Sequence, residues 1–243
     1  MTYPSETLIR NSPPGQHHLG PARLEPRHLY RDTASAGLES GVMTFPAFDP
    51  RPTMIVGTHV VLEPLHLGHA RDLLTAGGDE ATWRYMARPA LRSIEDAESM
   101  IRRALIETEA GREVAFAIVA AASGAAVGST RFLDIQRAHR TLEIGWTWIG
   151  ASWQRSAINT ECKLLLLGHA FETLGAHRVT LKTDARNERS QRAIERIGGV
   201  REGVLRRHRV CWDGFVRDTV YYGIVDREWL QVKAVLQGMV APR

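Results

Sequence analysis

The sequence predicts an α/β domain: a mixed, largely antiparallel sheet flanked by helices. Three observations carry this. Thr141–Ile149 alternates side chains between two faces, with Leu142, Ile144, Trp146 and Trp148 expected on one and Glu143, Gly145, Thr147 and Ile149 on the other. Two strand-like runs precede it, Val114–Ala120 and 126–135, separated by Ser123-Gly124 and followed by the reversal Arg137-Ala138-His139. Residues 158–174 then form the clearest helix, with Leu164, Leu167, Ala170, Phe171 and Leu174 in one apolar stripe closed by Gly175.

The remaining elements follow in order. Residues 1–50 hold seven of the eleven prolines, and Pro13-Pro14 and the 45–52 stretch forbid long helices, so 1–56 reads as a weakly ordered proline-rich arm. An alternative is that translation starts at Met43 or Met54. The domain is expected over 57–243, opening with a strand at 59–65 that Pro64 closes. A short helix over 66–76 stops at Gly77-Gly78, and Asp79 caps the next, which carries Trp83, Tyr85 and Met86. Ser93 caps a third, where Ile94, Ala97, Ile101, Ala104 and Leu105 keep a helical period up to Gly111. After the long helix come a strand at 177–183, a helix capped by Asn187 and ended by Gly198-Gly199, a strand pair over 200–210 and 215–225, and a final helix after Asp226.

Composition narrows the class. The chain has 243 residues, 44% of them apolar, enough for one domain with a real core. Its net charge is +4, and only Lys163, Lys182 and Lys233 among its 31 basic side chains are lysine. Without a long basic block this argues against a nucleic-acid partner. Cys162 and Cys211 lack metal-knuckle or CxxC spacing and are expected as free thiols in a reducing compartment. The chain begins without an apolar signal segment and its longest fatty run, 164–167, cannot span a bilayer, so a cytoplasmic protein with no membrane partner is expected. The histidines, including His139 and His177, show no ligand spacing, and no metal is expected.

Several stretches, in this order, carry a family likeness: Thr141–Ile149, 153–171, His177-Arg178-Val179, 183–198 and Arg201-Glu202-Gly203-Val204-Leu205-Arg206. Over 58–230 the chain resembles the GCN5-related N-acetyltransferase (GNAT) superfamily, and within it the RimJ/RimL-like group that acetylates the N-terminal residues of ribosomal proteins. The resemblance implies a sheet splayed between its fourth and fifth strands, here 141–149 and 177–183, with acetyl-CoA in the gap. The pyrophosphate would lie on Gln154, Arg155, Ser156, Ala157, Ile158 and Asn159, with Thr160 next. A free backbone N–H near Trp148 and Ile149 would face the thioester carbonyl. Ala157 and Asn159 stand where the family prefers glycine or another small residue.

Elementary chemistry agrees at two points. Free N–H groups and the macrodipole at a helix start attract anions, and Arg155 adds a cation. An attacking amine must first lose a proton, and a carboxylate on the fourth strand, Glu143, can accept it directly or through one water. The alternative for Glu143 is a strand carboxylate paired with Arg140 or Arg131. Asn187 and Ser190 match the family's Asn-x-x-Ala/Ser element, with Asn187 bonding cofactor or backbone and Ser190 facing the thioester or simply satisfied by the preceding turn. Ile194 stands where many relatives carry a tyrosine. Trp83 and Tyr85 match the acceptor-lining region, or are ordinary core. Arg206, Arg207, His208 and Arg209 form a basic run that meets an acidic acceptor, RNA or the CoA phosphate, or is a solvated hairpin.

The expected reaction is direct acetyl transfer from acetyl-CoA to a primary amine, a peptide or protein N-terminus, with no acetyl-enzyme. The alternatives are a small-molecule amine such as an antibiotic or polyamine, and a module that binds acyl-CoA without turnover. A homodimer is a candidate assembly.

Overall fold

The computed structural model describes residues 47–241. Most of the expected arm, residues 1–46 with Pro13-Pro14 and Met43, lies outside the described residues. The folded part reaches further upstream than 57: Phe48 is buried in the core, and Ile55–Val56 is a short first strand, β1.

The chain then runs β2 (Val60–Pro64), α1 (Ala70–Ala76), α2 (Glu80–Trp83), α3 (Ile94–Glu109), β3 (Val114–Ala120), β4 (Ala126–Gln136), β5 (Thr141–Ile149), α4 (Ala157–Gly168), β6 (Arg178–Asp184), α5 (Glu188–Arg196), β7 (Val200–Val210), β8 (Val216–Val225) and α6 (Trp229–Val240). One eight-stranded sheet has the order β1-β2-β3-β4-β5-β6-β8-β7, and only β5 and β6 are parallel.

Local chemistry sets the boundaries. The Asp79 carboxylate accepts the Ala81 N–H, and Ser93 and Asp96 form a reciprocal capping box at the start of α3. The Asn187 side-chain oxygen accepts the Ser190 N–H and starts α5. Gly175 and Gly198, at φ +65° and +92°, end the helical stretches before β6 and β7.

Two apolar cores lie on opposite faces of the sheet. β3 feeds both: Val114, Phe116, Ile118 and Ala120 pack on the side of α4 and α6, while Ala115, Ala117 and Val119 pack on the side of α1 and α3. The carboxylate of Glu161 ties α4 to the sheet. It is buried and accepts the N–H groups of Thr58, His59 and Val60 at 2.9, 2.6 and 2.8 Å. The cofactor-helix candidate is thereby locked to the start of β2.

Candidate active site

β5 is not the regular strand that its alternation suggests. Ser129 pairs with Trp148 and Arg131 with Gly145, so Thr130 opposes both Trp146 and Thr147. The extra residue is Trp146, held at φ +51°, which is costly for a bulky side chain. The bulge reverses the facing of everything beyond it. Leu142 and Ile144 share a core with Ile149, whereas Trp148 joins the opposite core. The Arg131 guanidinium covers the Trp146 ring at 4.8 Å.

Beside the bulge the sheet opens. β5 and β6 pair only at Thr141–Arg178, Leu142–Val179 and Glu143–Thr180. Beyond Glu143 the strands part, β6 continuing against β8 alone. A cleft of about 660 Å³ fills the gap, bounded by β5, β6, the start of α4, α5, the segment after α2 and the β7–β8 hairpin.

Glu143 sits where the parting begins. It lines the cleft yet is only 3% exposed. Its partner is neither Arg140 nor Arg131. Lys182 on β6 places Nζ 2.5 Å from Glu143 Oε2, while Arg131 pairs with Glu113 and Arg140 donates to the carbonyls of Leu174 and Gly175. Burial pushes the Glu143 carboxyl above the usual carboxylate range, and Lys182 pulls it partly back. A carboxylate held in this balance suits proton acceptance near neutrality.

At the other end, α4 starts into the cleft. The Ser156 hydroxyl accepts the Ile158 N–H at 3.3 Å and donates to the Trp153 carbonyl at 2.7 Å, so it serves as a cap. Gln154 bridges three elements, donating to the Ile149 carbonyl and accepting from Arg189 of α5. Arg155, at φ +61°, is exposed and lines the cleft with Ser156 and Asn159. Two of the expected cofactor contacts turn away. Ile158 is buried in the core, and the buried Thr160 hydroxyl accepts from Arg196, because successive helical residues point about 100° apart. Ala157 is half-buried and outside the cleft lining, so Ala157, Ile158 and Thr160 offer backbone rather than side chain.

Asn187 and Ser190 both line the cleft with Ile194. The Asn187 oxygen is used in capping, which leaves its amide nitrogen. Ser190 is half-buried.

The expected aromatic pair separates. Tyr85 lines the cleft, with Arg84 and Arg186 over its ring at 5.4 and 5.6 Å. Trp83 does not: it is 1% exposed, donates Nε1 to the Gly77 carbonyl at 2.7 Å and packs on Trp148. Trp83 is the last residue of α2 and Tyr85 lies in the turn beyond it, so the chain leaves the helix between the two rings.

Several lining residues escaped sequence reasoning as a group: Thr82, Thr147, Lys182, Asp184 and Arg217. One signal was available, since two of the chain's three lysines, Lys163 and Lys182, line this cleft. The basic run does not keep plain strand alternation: the β7–β8 register shifts between Leu205 and Arg209, with Arg207 at φ +51°, and of the four residues Arg209 reaches the lining. The cysteines are free and buried, and burial raises both thiols, Cys162 to about 11, so neither is a ready nucleophile.

One grouping was not weighed from the sequence: among the described residues, Glu63, His66 and His69 bring ligand-type atoms within 4.8 Å of one another. Three of the four ring nitrogens are engaged locally, His66 Nδ1 accepting from Gly68 and His69 Nδ1 from the His66 backbone, with His69 Nε2 3.2 Å from Glu63. Among the described residues no helix is long and apolar enough to cross a membrane.

A family model described as the acetyltransferase (GNAT) domain matches residues 59–200, more than half the chain, running from the start of β2 to the end of α5. The chain belongs to the GNAT acetyltransferase family. This GNAT chain is 31% identical over 147 residues to YoaA of Bacillus subtilis (strain 168), an uncharacterized N-acetyltransferase, covering 60% of this chain and 81% of YoaA. It is 33% identical over 106 residues to YdaF of the same organism, provisionally named a ribosomal N-acetyltransferase, but that match spans only 44% of this chain and 57% of YdaF. Among solved structures, a GCN5-related N-acetyltransferase from Brucella melitensis superposes with a TM-score of 0.75 at 28% identity, over 80% of this chain and 88% of the other. The immunity acetyltransferase MccE, solved with acetyl-CoA and AMP, shares the fold with a TM-score of 0.63 at 24% identity, over 70% of this chain and 93% of the other.

Proposed function

We propose that this GNAT chain transfers acetyl from acetyl-CoA to a primary amine, the N-terminal α-amine of a peptide or protein, by direct attack. The observation that carries the reading is the cleft between β5 and β6: it has a cationic helix start at one end and a buried carboxylate, Glu143, where the strands separate. The CoA diphosphate fits the start of α4, where first-turn N–H groups lack helical partners and Arg155 stands free in solvent. The pantetheine arm fits along the stretch of β5 that β6 has left. A bulge leaves its extra residue outside the ladder, so the strand amide released near Trp146 is our candidate donor to the carbonyl oxygen on which negative charge develops.

The acceptor enters between Tyr85 and the hairpin. Thr82 offers a buried hydroxyl without a partner there. An α-amine, with a pKa of about 8, gives up its proton more readily than a lysine amine, so a single carboxylate with a raised pKa is a matched base. Glu143 takes that proton, the free amine attacks the thioester carbon, and the tetrahedral intermediate collapses to the amide.

The small-molecule alternative narrows. The acceptor side carries Arg209 and Arg217 beyond the two paired sets, Glu143 with Lys182 and Asp184 with Arg186. This repels polyamines and other polycations and accepts amines that are neutral or carry an anion. The test is release of CoA thiol from acetyl-CoA across short peptides with free or blocked N-termini, and across polyamines. Turnover with free-amine peptides and none with blocked ones supports the reading. Preference for a polyamine contradicts the acceptor assignment, and no thiol release with any amine contradicts acetyl transfer itself.

A further inference from the structure

Acetyl transfer, as proposed above, sends the C–S bonding electrons onto sulfur, and Glu143 can only accept a proton. A thiolate released inside a filled cleft needs a proton or a cation. Ile194, on the α5 wall, supplies neither.

Lys163 lies on the α4 wall, buried and lining the same cleft. Its Nζ donates to Thr147 Oγ1 at 2.8 Å, and that hydroxyl is 2.8 Å from Thr130 Oγ1. Thr147 directly follows the bulge residue, on the part of β5 that β6 has left. Lys182 and Lys233 each pair with a carboxylate, but Lys163 has none among the described residues. An ammonium has three donors, and among the described residues only one is used. The choice of residue is informative in a chain that is otherwise almost entirely arginine in its cations. Arginine keeps its proton at any working pH, whereas a buried lysine can release it.

From this placement we propose that Lys163 is the general acid that protonates the departing CoA sulfur. The amine nitrogen bonds to the thioester carbon. The C–S bond breaks with its electron pair going to sulfur, and an Nζ proton of Lys163 completes the thiol. The new amide nitrogen sheds its extra proton to water, and the neutral Lys163 amine recovers a proton from solvent as products leave.

The surroundings favour this exchange. Burial pushes Lys163 below the ordinary lysine range, which makes it readier to give up a proton. On its own helix, Cys162 stays protonated and Glu161 is committed to the three amides before β2. From β5 it meets Thr147, and Glu143 is held by Lys182 of β6. Arg196 of α5 donates to Thr160, and Lys233 of α6 pairs with Glu172.

The test compares two acetyl donors: acetyl-CoA, and S-acetyl-4-nitrothiophenol, whose thiolate leaves without a proton. The acceptor is whichever peptide of the panel turns over fastest. With acetyl-CoA, Lys163→Met and Lys163→Arg each lower kcat about 100-fold, the low end of general-acid catalysis. With the aryl thioester both stay within about threefold of the unsubstituted chain. Wild-type kcat with acetyl-CoA falls on the alkaline side as Lys163 loses its proton, and this limb is absent with the aryl donor. That wild-type comparison decides the matter even if a variant does not fold. Equal losses with both donors, full activity of Lys163→Arg, or the same alkaline limb for both donors overturns the proposal while leaving acetyl transfer intact. A wild-type chain inert with acetyl-CoA overturns both.

Discussion

Lys182 Nζ stands 2.5 Å from Glu143 Oε2, one residue on each of the two strands that are about to part. The pair therefore closes the narrow end of the cleft and sets the charge state of the proposed base. Glu143 works only when ionised; burial raises its pKa and Lys182 lowers it. Activity should accordingly rise with pH through a value above the ordinary glutamate range. Lys182→Met removes the lowering influence, so the acid limb of kcat moves to higher pH. Glu143→Gln lowers kcat about 100-fold or more with little change in acetyl-CoA affinity. A pH–rate profile for each variant checks both, and an acid limb that stays in place in Lys182→Met contradicts the coupling.

Arg155 is exposed at the lip of the cleft beside the first turn of α4. A charge-assisted contact to phosphate contributes about 1.5–3 kcal/mol, so Arg155→Ala should weaken acetyl-CoA binding on the order of 10- to 100-fold. The saturated rate should change little. Calorimetry with acetyl-CoA measures the first and steady-state kinetics the second; an unchanged Kd removes Arg155 from the phosphate site.

Glu161→Ala leaves the amides of Thr58, His59 and Val60 without their shared acceptor. The Val60 amide is buried and costs about 1–3 kcal/mol unpaired, while Thr58 and His59 are exposed, so a loss of about 1–3 kcal/mol is expected in urea unfolding. A loss below about 1 kcal/mol would mean water reaches these amides.

Gly128 pairs with Ile149 across the β4–β5 ladder, and a Cβ there would run into the carbonyl oxygen of the neighbouring Trp148. The obstacle is backbone, so Gly128→Ala must push β5 away next to its bulge. A destabilisation of about 1–3 kcal/mol is expected, together with weaker acetyl-CoA binding. Thermal unfolding and calorimetry on one preparation check whether the two losses appear together.

Trp83→Phe and Tyr85→Ala separate core from cleft. Trp83→Phe forfeits the hydrogen bond to Gly77, about 1 kcal/mol, and leaves the acceptor KM unchanged. Tyr85→Ala raises the acceptor KM because its ring lines the cleft under two arginines. Equal effects on KM would return Trp83 to the acceptor site.

The sequence by itself determined the class of fold, the order of the elements and most of their ends. These are local matters: Ser93, Asn187 and Gly175 act on their own backbone neighbours, and the unbroken apolar run Val114–Ala120 suits a strand buried on both faces. It also nominated Glu143 and Arg155, whose positions follow from their own strand and helix start. Tertiary structure alone decided the rest. The bulge at Trp146 depends on how β5 meets β4, a pairing that no period in one strand encodes, and it moved Trp148 to the other core. Glu143 found Lys182 because a parallel strand from 39 residues away lies beside it; Lys163 met Thr147 because a helix and a bulged strand share one wall of a gap. Burial and partnership are sums over distant neighbours, and those sums set the charges on which the chemistry turns.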